Sequence, residues 1–328
     1  MAIGAVDRFE MASAAQLFYY AKGLLLDTQQ RRARSGTGQV SALHQQSIDE
    51  VRCLLCLAHF ATWQSNPSIK NEACVLQSLL VQALPLSGLE EEPVQDQQET
   101  DWEQWTQHES ERRTKLLSFC FLGVQSLAYD TPPSIWCAEI DLKLPCSCPE
   151  WTAPNAETWN VVNQSMEPPT PVGNYVLIHG LLQRIIWTPR FMPNSSLLGT
   201  ASNDYQSVIE PQRAFTYTST ALLSLAYVRN CFDISRAGKI STWSPIQIAQ
   251  ALRTSPSVDR KWSTLLAAYH ATNLLSTLVN LGVPYVKQNQ SLLLSIEAAP
   301  CGLDFSVFLE KWLCQVQDTM HETPLTGP

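Results

Sequence analysis

Residues 102–133 read as a single helix whose charges are crowded near its start, and no other stretch limits the fold as tightly. Trp102, Trp105, Glu109, Arg112 and Arg113 fall at helical spacing. Leu116, Leu117, Cys120, Val124 and Leu127 extend an apolar face toward Pro132 and Pro133, where the prolines' missing N–H groups and their clash with the preceding residue stop a helix. Thr100 and Glu103 have the spacing of a capping box, in which each side chain satisfies the other's backbone N–H. The chain then returns through Glu139, Asp141, Leu142, Leu144, Pro145 and Cys146 to Trp151. Glu109 and Arg113 are four apart with the acid first, the favourable order on a helix. A guanidinium here also has paired donors to fork onto Glu139 or Asp141 of the returning segment. The spacing therefore predicts a clamp that holds the Leu-Pro-Cys exit against the helix, with a phosphate or ligand site as the alternative use of the arginines.

Elsewhere the same 3.6-residue periodicity recurs. It predicts a helix over 9–30 with Ala14, Leu17, Ala21 and Leu24 in phase, and another over 41–64 with Val51, Leu54, Leu55, Ala58 and Phe60 inward. Asn66, Pro67 and Ser68 break that helix, and 68–84 forms a third. Residues 86–100, acidic and Gln-rich, read as an exposed loop, and 152–172, with four prolines, as an irregular segment. Helices follow over 173–186 and 213–232, with a polar linker over 189–210 between them. Ser244, Pro245 and Gln247 cap the start of the next. The longest helix is expected over 257–281, burying Trp262, Leu265, Leu266, Tyr269, Leu274 and Leu278, and the last over 303–320. No strand-length alternation or βαβ rhythm occurs, so the expected class is all-α: one irregular multi-helix domain over 1–328, with sub-regions 1–151 and 173–320 joined by the Pro-rich segment.

Charge narrows the function classes. Of 328 residues 45% are hydrophobic and only 16% charged, well below the usual ~25%, which implies extensive burial or a partner surface. The net charge of −8 removes the basic field that a free-standing nucleic-acid binder uses to neutralise phosphates, so no direct DNA binding is expected. No run approaches the ~20 apolar residues of a membrane span, and the charges at Asp7, Arg8 and Glu10 fall where a signal peptide needs its apolar core. An intracellular chain with reduced thiols is predicted. Arg31, Arg32 and Arg34 are either a nuclear-import patch or a solvated helix end.

No motif carries a reaction. Cys53 and Cys56 have zinc or redox spacing but no second ligand pair beyond His59, so they are predicted to pack as small apolar groups. Cys146 and Cys148 lie too close for a zinc knuckle and read as a rigid turn between Pro145 and Pro149. His59, His179 and His270 sit within apolar helices as interior or groove-lining residues. Phosphate loops, dinucleotide fingerprints, nucleophile elbows and zinc-protease motifs are all missing. No catalytic residue, cofactor or metal is assigned.

Trp102, Trp105, Glu109, Arg112, Arg113, Pro132, Pro133, Glu139, Leu142, Leu144, Pro145 and Trp151 together, in that order, resemble the regulatory, or middle-homology, domain of fungal-specific zinc-finger transcription factors. The likeness extends over roughly 15–315. It implies an all-α regulatory domain whose Trp, Glu, Arg and Pro residues define the fold, and a nuclear protein of transcription regulation. It further implies transcription-factor or co-regulator partners, dimerisation, a small-molecule effector and target genes of secondary metabolism such as a biosynthetic cluster. In that family the DNA-binding fingers precede this domain. This sequence holds neither a Cys2His2 array nor a six-cysteine basic cluster. A helical small-molecule binder or enzyme of the same ancestry is the alternative.

Overall fold

A computed structural model describes residues 11–35, 40–62, 64, 66–91, 101–163, 170–191, 213–232, 244–254, 257–259, 261–281 and 298–322. The fold is all-α. The helices are α1 Met11–Ser35, α2 Val40–Thr62, α3 Pro67–Leu86, α4 Trp102–Tyr129, α5 Cys148–Thr152, α6 Ala156–Asn163, α7 Pro171–Phe191, α8 Arg213–Cys231, α9 Pro245–Arg253, α10 Trp262–Leu281 and α11 Ala298–Glu322. The extended backbone among the described residues includes one isolated parallel bridge, Glu90 to Asp141.

The chain forms two compact units. The first comprises residues 1–122 and 134–176, the second 123–133 and 177–328. In the first, α3 begins at Asn66, whose side-chain oxygen accepts from the Ser68 N–H at 2.9 Å, with Pro67 inside the first turn. Its buried positions Ile69, Ala73, Leu76, Leu80 and Leu84 step by three and four. They pack against α2, where Val51, Leu54, Ala58 and Phe60 are buried as expected and Leu57 and Ala61 join them. Phe18 of α1 stacks on Phe60 at 5.3 Å between ring centroids. The inward face of α1 is Ala14, Phe18 and Leu25, so the expected phase was one residue off: Ala21 and Leu24 are exposed. The basic segment continues the helix to Ser35, with Arg31 paired to Asp27 one turn back at 2.7 Å.

Two local expectations are corrected by backbone chemistry. The α4 helix ends at Tyr129, before the prolines, because Asp130 takes a positive φ of 51°. The Thr131 N–H then reaches back to the Ser126 carbonyl at 3.2 Å and closes the last turn in the Schellman manner. At its start, the Asp101 side chain accepts from the Glu103 N–H at 3.1 Å; the expected capping-box residue Thr100 lies outside the described residues. Residues 152–172, expected to be irregular, contain α6 over 156–163 and the start of α7 at Pro171, and α5 precedes them at Cys148–Thr152. The α5 turn has a capping box, Ser147 Oγ accepting from the Glu150 N–H and the Glu150 carboxylate accepting from the Ser147 N–H.

In the second unit, α8, α10 and α11 pack on one another. Phe232 meets Phe308 at 6.1 Å, and the Arg229 guanidinium donates to the buried Asp304 carboxylate at 2.6 Å. Gly123 lies so close to the buried His179 that a Cβ there would sit 2.9 Å from its Nδ1. The inward face of α10 is Thr264, Ala267, Ala268, Ala271 and Leu274. Trp262, Leu265 and Tyr269, expected inside, are exposed, and Leu266 is only half-buried. The side chain of Leu278 lies outside the described residues. Cys53 and Cys56 are likewise exposed on α2 rather than packed in the core.

Candidate functional site: the Glu109 cluster

Glu109 of α4 is fully buried, and its two carboxylate oxygens accept hydrogen bonds from three directions. Arg113 Nε donates to one oxygen at 2.6 Å, and the Cys146 backbone N–H donates to the same oxygen at 2.9 Å. Arg112 donates to the other. Such a site is stable only if every lone pair is engaged and each charge is balanced, because a bare buried carboxylate would neutralise instead. The α4 helix supplies that balance, since spacings of three and four put both arginines on the glutamate's face.

Each arginine then spends its remaining donors on a second segment. Arg112 forks onto both oxygens of Glu91, just after α3. The partner proposed from sequence was Glu139 or Asp141. Instead the exposed Glu139 carboxylate accepts from the Trp136 N–H at 2.7 Å, and Asp141 uses its backbone, its N–H donating to the Leu89 carbonyl and its carbonyl accepting from the Glu91 N–H. Arg113 donates to the Cys146 carbonyl at 3.1 Å, and its guanidinium lies 4.5 Å from the centre of the Trp151 ring, a cation–π stack. Leu89 is buried and Glu91 half-buried, so this end of the acidic segment is pinned rather than solvated.

A tryptophan layer adjoins the arginines. Trp105 is tilted on Trp159 with ring centroids 5.1 Å apart, and Trp102, Ala153 and Cys146 pack against the pair. The buried Pro145 has its carbonyl facing the Thr170 hydroxyl at 3.3 Å, and that hydroxyl accepts from the Gly173 N–H, which ties the exit to the start of α7. The sequence signature is therefore partly assembled. Trp102, Trp105, Glu109, Arg112, Arg113, Pro145 and Trp151 converge in the first unit. Glu139 turns to its own backbone, and Pro132 and Pro133 belong to the second unit. Sequence reasoning missed Glu91, Ser147, Glu150 and Trp159. The Ser147–Glu150 spacing could have revealed the α5 cap, whereas nothing distinguishes Glu91 from its acidic neighbours.

The electrostatics suit a clamp. Two carboxylates and two guanidiniums cancel. Burial alone would lower the pKa of Arg112, but Glu91 and Glu109 outweigh it and raise it. Burial lowers that of Lys115, with Arg112 adding to the effect against Glu111 and Glu91. The Cys146 thiol is pushed up to about 12, first by burial and then by Glu109, so it stays protonated and is no nucleophile at neutral pH. Among the described residues no group of three His, Cys, Asp or Glu side chains is placed to hold a metal, and no helix is long and apolar enough to cross a membrane.

The histidines divide by setting. His179 is buried beside Gly123, and His59 lies 5.8 Å from the Phe121 ring. His270 stacks on Tyr227 at 4.7 Å and 8°, and its buried Nε2 has no hydrogen-bond partner.

Comparison with known proteins supplies the family. No curated protein and no solved structure matches the chain. Two family models do, and they meet at residue 233. The fungal transcription factor C-terminal domain matches residues 233–327. The fungal specific transcription factor domain matches residues 40–233, which holds the whole Glu109 cluster and more than half of the sequence. The chain belongs to the fungal-specific transcription factor domain family.

Proposed function

We propose that this chain is a regulatory module of transcription that works in the nucleus through protein partners, transcription factors or co-regulators, rather than by gripping DNA itself. The two adjoining family matches carry this reading. The net charge of −8 supports the indirect mode, because phosphate binding needs free cations. The cluster's two arginines are already spent on Glu91 and Glu109. On this reading the Glu109 cluster is a structural clamp that fixes the Leu-Pro-Cys exit, and the genes controlled are those of a biosynthetic cluster. Tagging the chain at its own locus, fractionating cells and identifying co-purifying proteins tests the first part. A nuclear pool bound to a transcription factor is expected, and exclusion from the nucleus, or no such partner, sinks it. Transcript profiling after deletion tests the second: changes confined to primary metabolism would remove the biosynthetic assignment.

A second reading, a helical binder of small molecules or an enzyme of secondary metabolism, draws on two buried polar atoms. Trp159 Nε1 and His270 Nε2 have no hydrogen-bond partner, and a ligand or an ordered water would satisfy such groups. A thermal-shift screen against apolar metabolites with hydrogen-bonding groups separates the readings. Stabilisation that vanishes in Trp159→Phe or His270→Phe would favour the binder.

A further inference from the structure

We propose that the outer face of α10 is a self-association surface, on which α10 of a second copy packs antiparallel. The helix is built inside out. Its small residues, Ala267, Ala268 and Ala271, face α8 and α11, while Trp262 is 79% exposed, Tyr269 61%, Val279 72% and Leu265 46%. Together with the exposed Thr272 and Ser276, these residues step by three and four, giving the seven-residue repeat of a two-stranded helical seam. Single exposed apolar residues need no explanation, but a ridge in register along a whole helix does.

The stripe fits a copy of itself better than it fits a charged partner. Nowhere from Trp262 to Leu281 is there an Asp, Glu, Lys or Arg, although the chain carries a net charge of −8. Two such faces meet without like-charge repulsion, and an acidic or basic partner would find nothing to pair with. Bulk is also distributed for antiparallel packing. Large side chains occupy the first half of the stripe and smaller ones the second, so Leu265 would oppose Ser276, Tyr269 would oppose Thr272, and Trp262 would oppose Val279. Parallel packing would crowd Trp and Tyr at one end and leave a gap at the other, at the expense of close packing. The still-exposed parts of Trp262 and Tyr269, a fraction of the roughly 150–250 Å2 that each buries when fully covered, add to those of Leu265 and Val279 toward the ~800 Å2 per partner of a standard interface.

This surface does not depend on the transcriptional reading and is tested apart from it, by sedimentation velocity of the purified full chain over a range of concentrations. A monomer–dimer equilibrium is expected. Tyr269→Glu raises the dissociation constant by about a hundredfold, since like charges brought together cost several kcal/mol. So does Tyr269→Lys, and an equimolar mixture of the two restores the dimer as a heterodimer. Thr277→Glu, on the same helix but off the stripe, leaves dimerisation unchanged, and far-UV circular dichroism is the same for all four proteins. A wild-type chain that stays monomeric at its highest soluble concentration overturns the proposal. So would charge variants that dimerise as well as wild type, a Glu/Lys mixture that stays monomeric, or a Thr277→Glu chain that loses the dimer.

Discussion

At the scale of single residues, Glu109 has the most to lose. Its removal in Glu109→Ala leaves two arginines and the Cys146 N–H buried without their shared acceptor. Breaking a buried pair by deleting one partner costs about 3–5 kcal/mol, a large share of the 5–15 kcal/mol that keeps a typical chain folded. Urea unfolding should therefore show a sharply lower midpoint for Glu109→Ala and a smaller fall for Glu109→Gln, which keeps one acceptor. Equal stability of wild type and Glu109→Ala would remove the clamp from the account. Spacing alone revealed Glu109 with Arg113, because the pairing is local to one helix. It could not reveal Glu91 for Arg112, since that contact spans 21 residues and depends on where the segment after α3 returns. His270 gives a pH signature. Burial holds its pKa below the ordinary 6.5, so the unfolded chain binds a proton on acidification before the folded chain does. Its contribution to stability is complete above pH 6.5 and is lost as pH falls from there through the folded pKa. His270→Phe should make the melting temperature less sensitive to acidification below pH 6.5, as measured by thermal melts in matched buffers.

At the scale of elements, tight helix approach decides what a substitution does. Gly123→Ala improves helix propensity by about 0.5–1 kcal/mol, but its Cβ would sit 2.9 Å from Nδ1 of the buried His179 ring. Overpacking of that kind costs about 1–3 kcal/mol, so the substitution should destabilise on balance, and Gly123→Ala combined with His179→Ser should recover part of the loss. A melting temperature for Gly123→Ala at or above wild type would show that the ring shifts freely. Ser147→Ala removes an N-cap acceptor, worth about 1 kcal/mol, and should loosen α5 enough to raise its amide-exchange rates. The short helices α5 and α6 went unread, because five or eight residues are too few to show a period and only such caps mark them. The α10 face misled for the opposite reason. Periodicity finds the buried side by contrast with charge, and a helix with no charged residue offers none. Bulk then pointed to Trp262, Leu265 and Tyr269, while close approach to α8 and α11 had selected the alanines. The all-α class survived these errors because it rests on many helices at once.

At the scale of the whole molecule, the family boundary and the physical unit do not coincide. The C-terminal family region begins at residue 233, yet the second unit extends across that point and takes in α8. Among the described residues, side-chain contacts bind the two sides. Arg229 donates to Asp304 at 2.6 Å with both side chains almost fully buried, Tyr227 stacks on His270, and Phe232 packs against Phe308. Burial raises the Asp304 pKa, Arg229 opposes the rise and Asp130 adds to it, so the carboxyl depends on that guanidinium to carry its charge. Cutting the chain between 232 and 233 strands both partners, and uncovers the alanine face of α10 along with the aromatic faces of α8. An unpaired buried charge alone costs about 3–5 kcal/mol, and a fragment of fewer than a hundred residues has little core with which to offset it. Residues 233–328 expressed alone should therefore melt without a cooperative transition, and co-expression with residues 1–232 should recover a soluble complex that unfolds as one. A cooperative transition in the isolated 233–328 fragment would mean that its helices hold together without α8, and that the family boundary is a structural one after all.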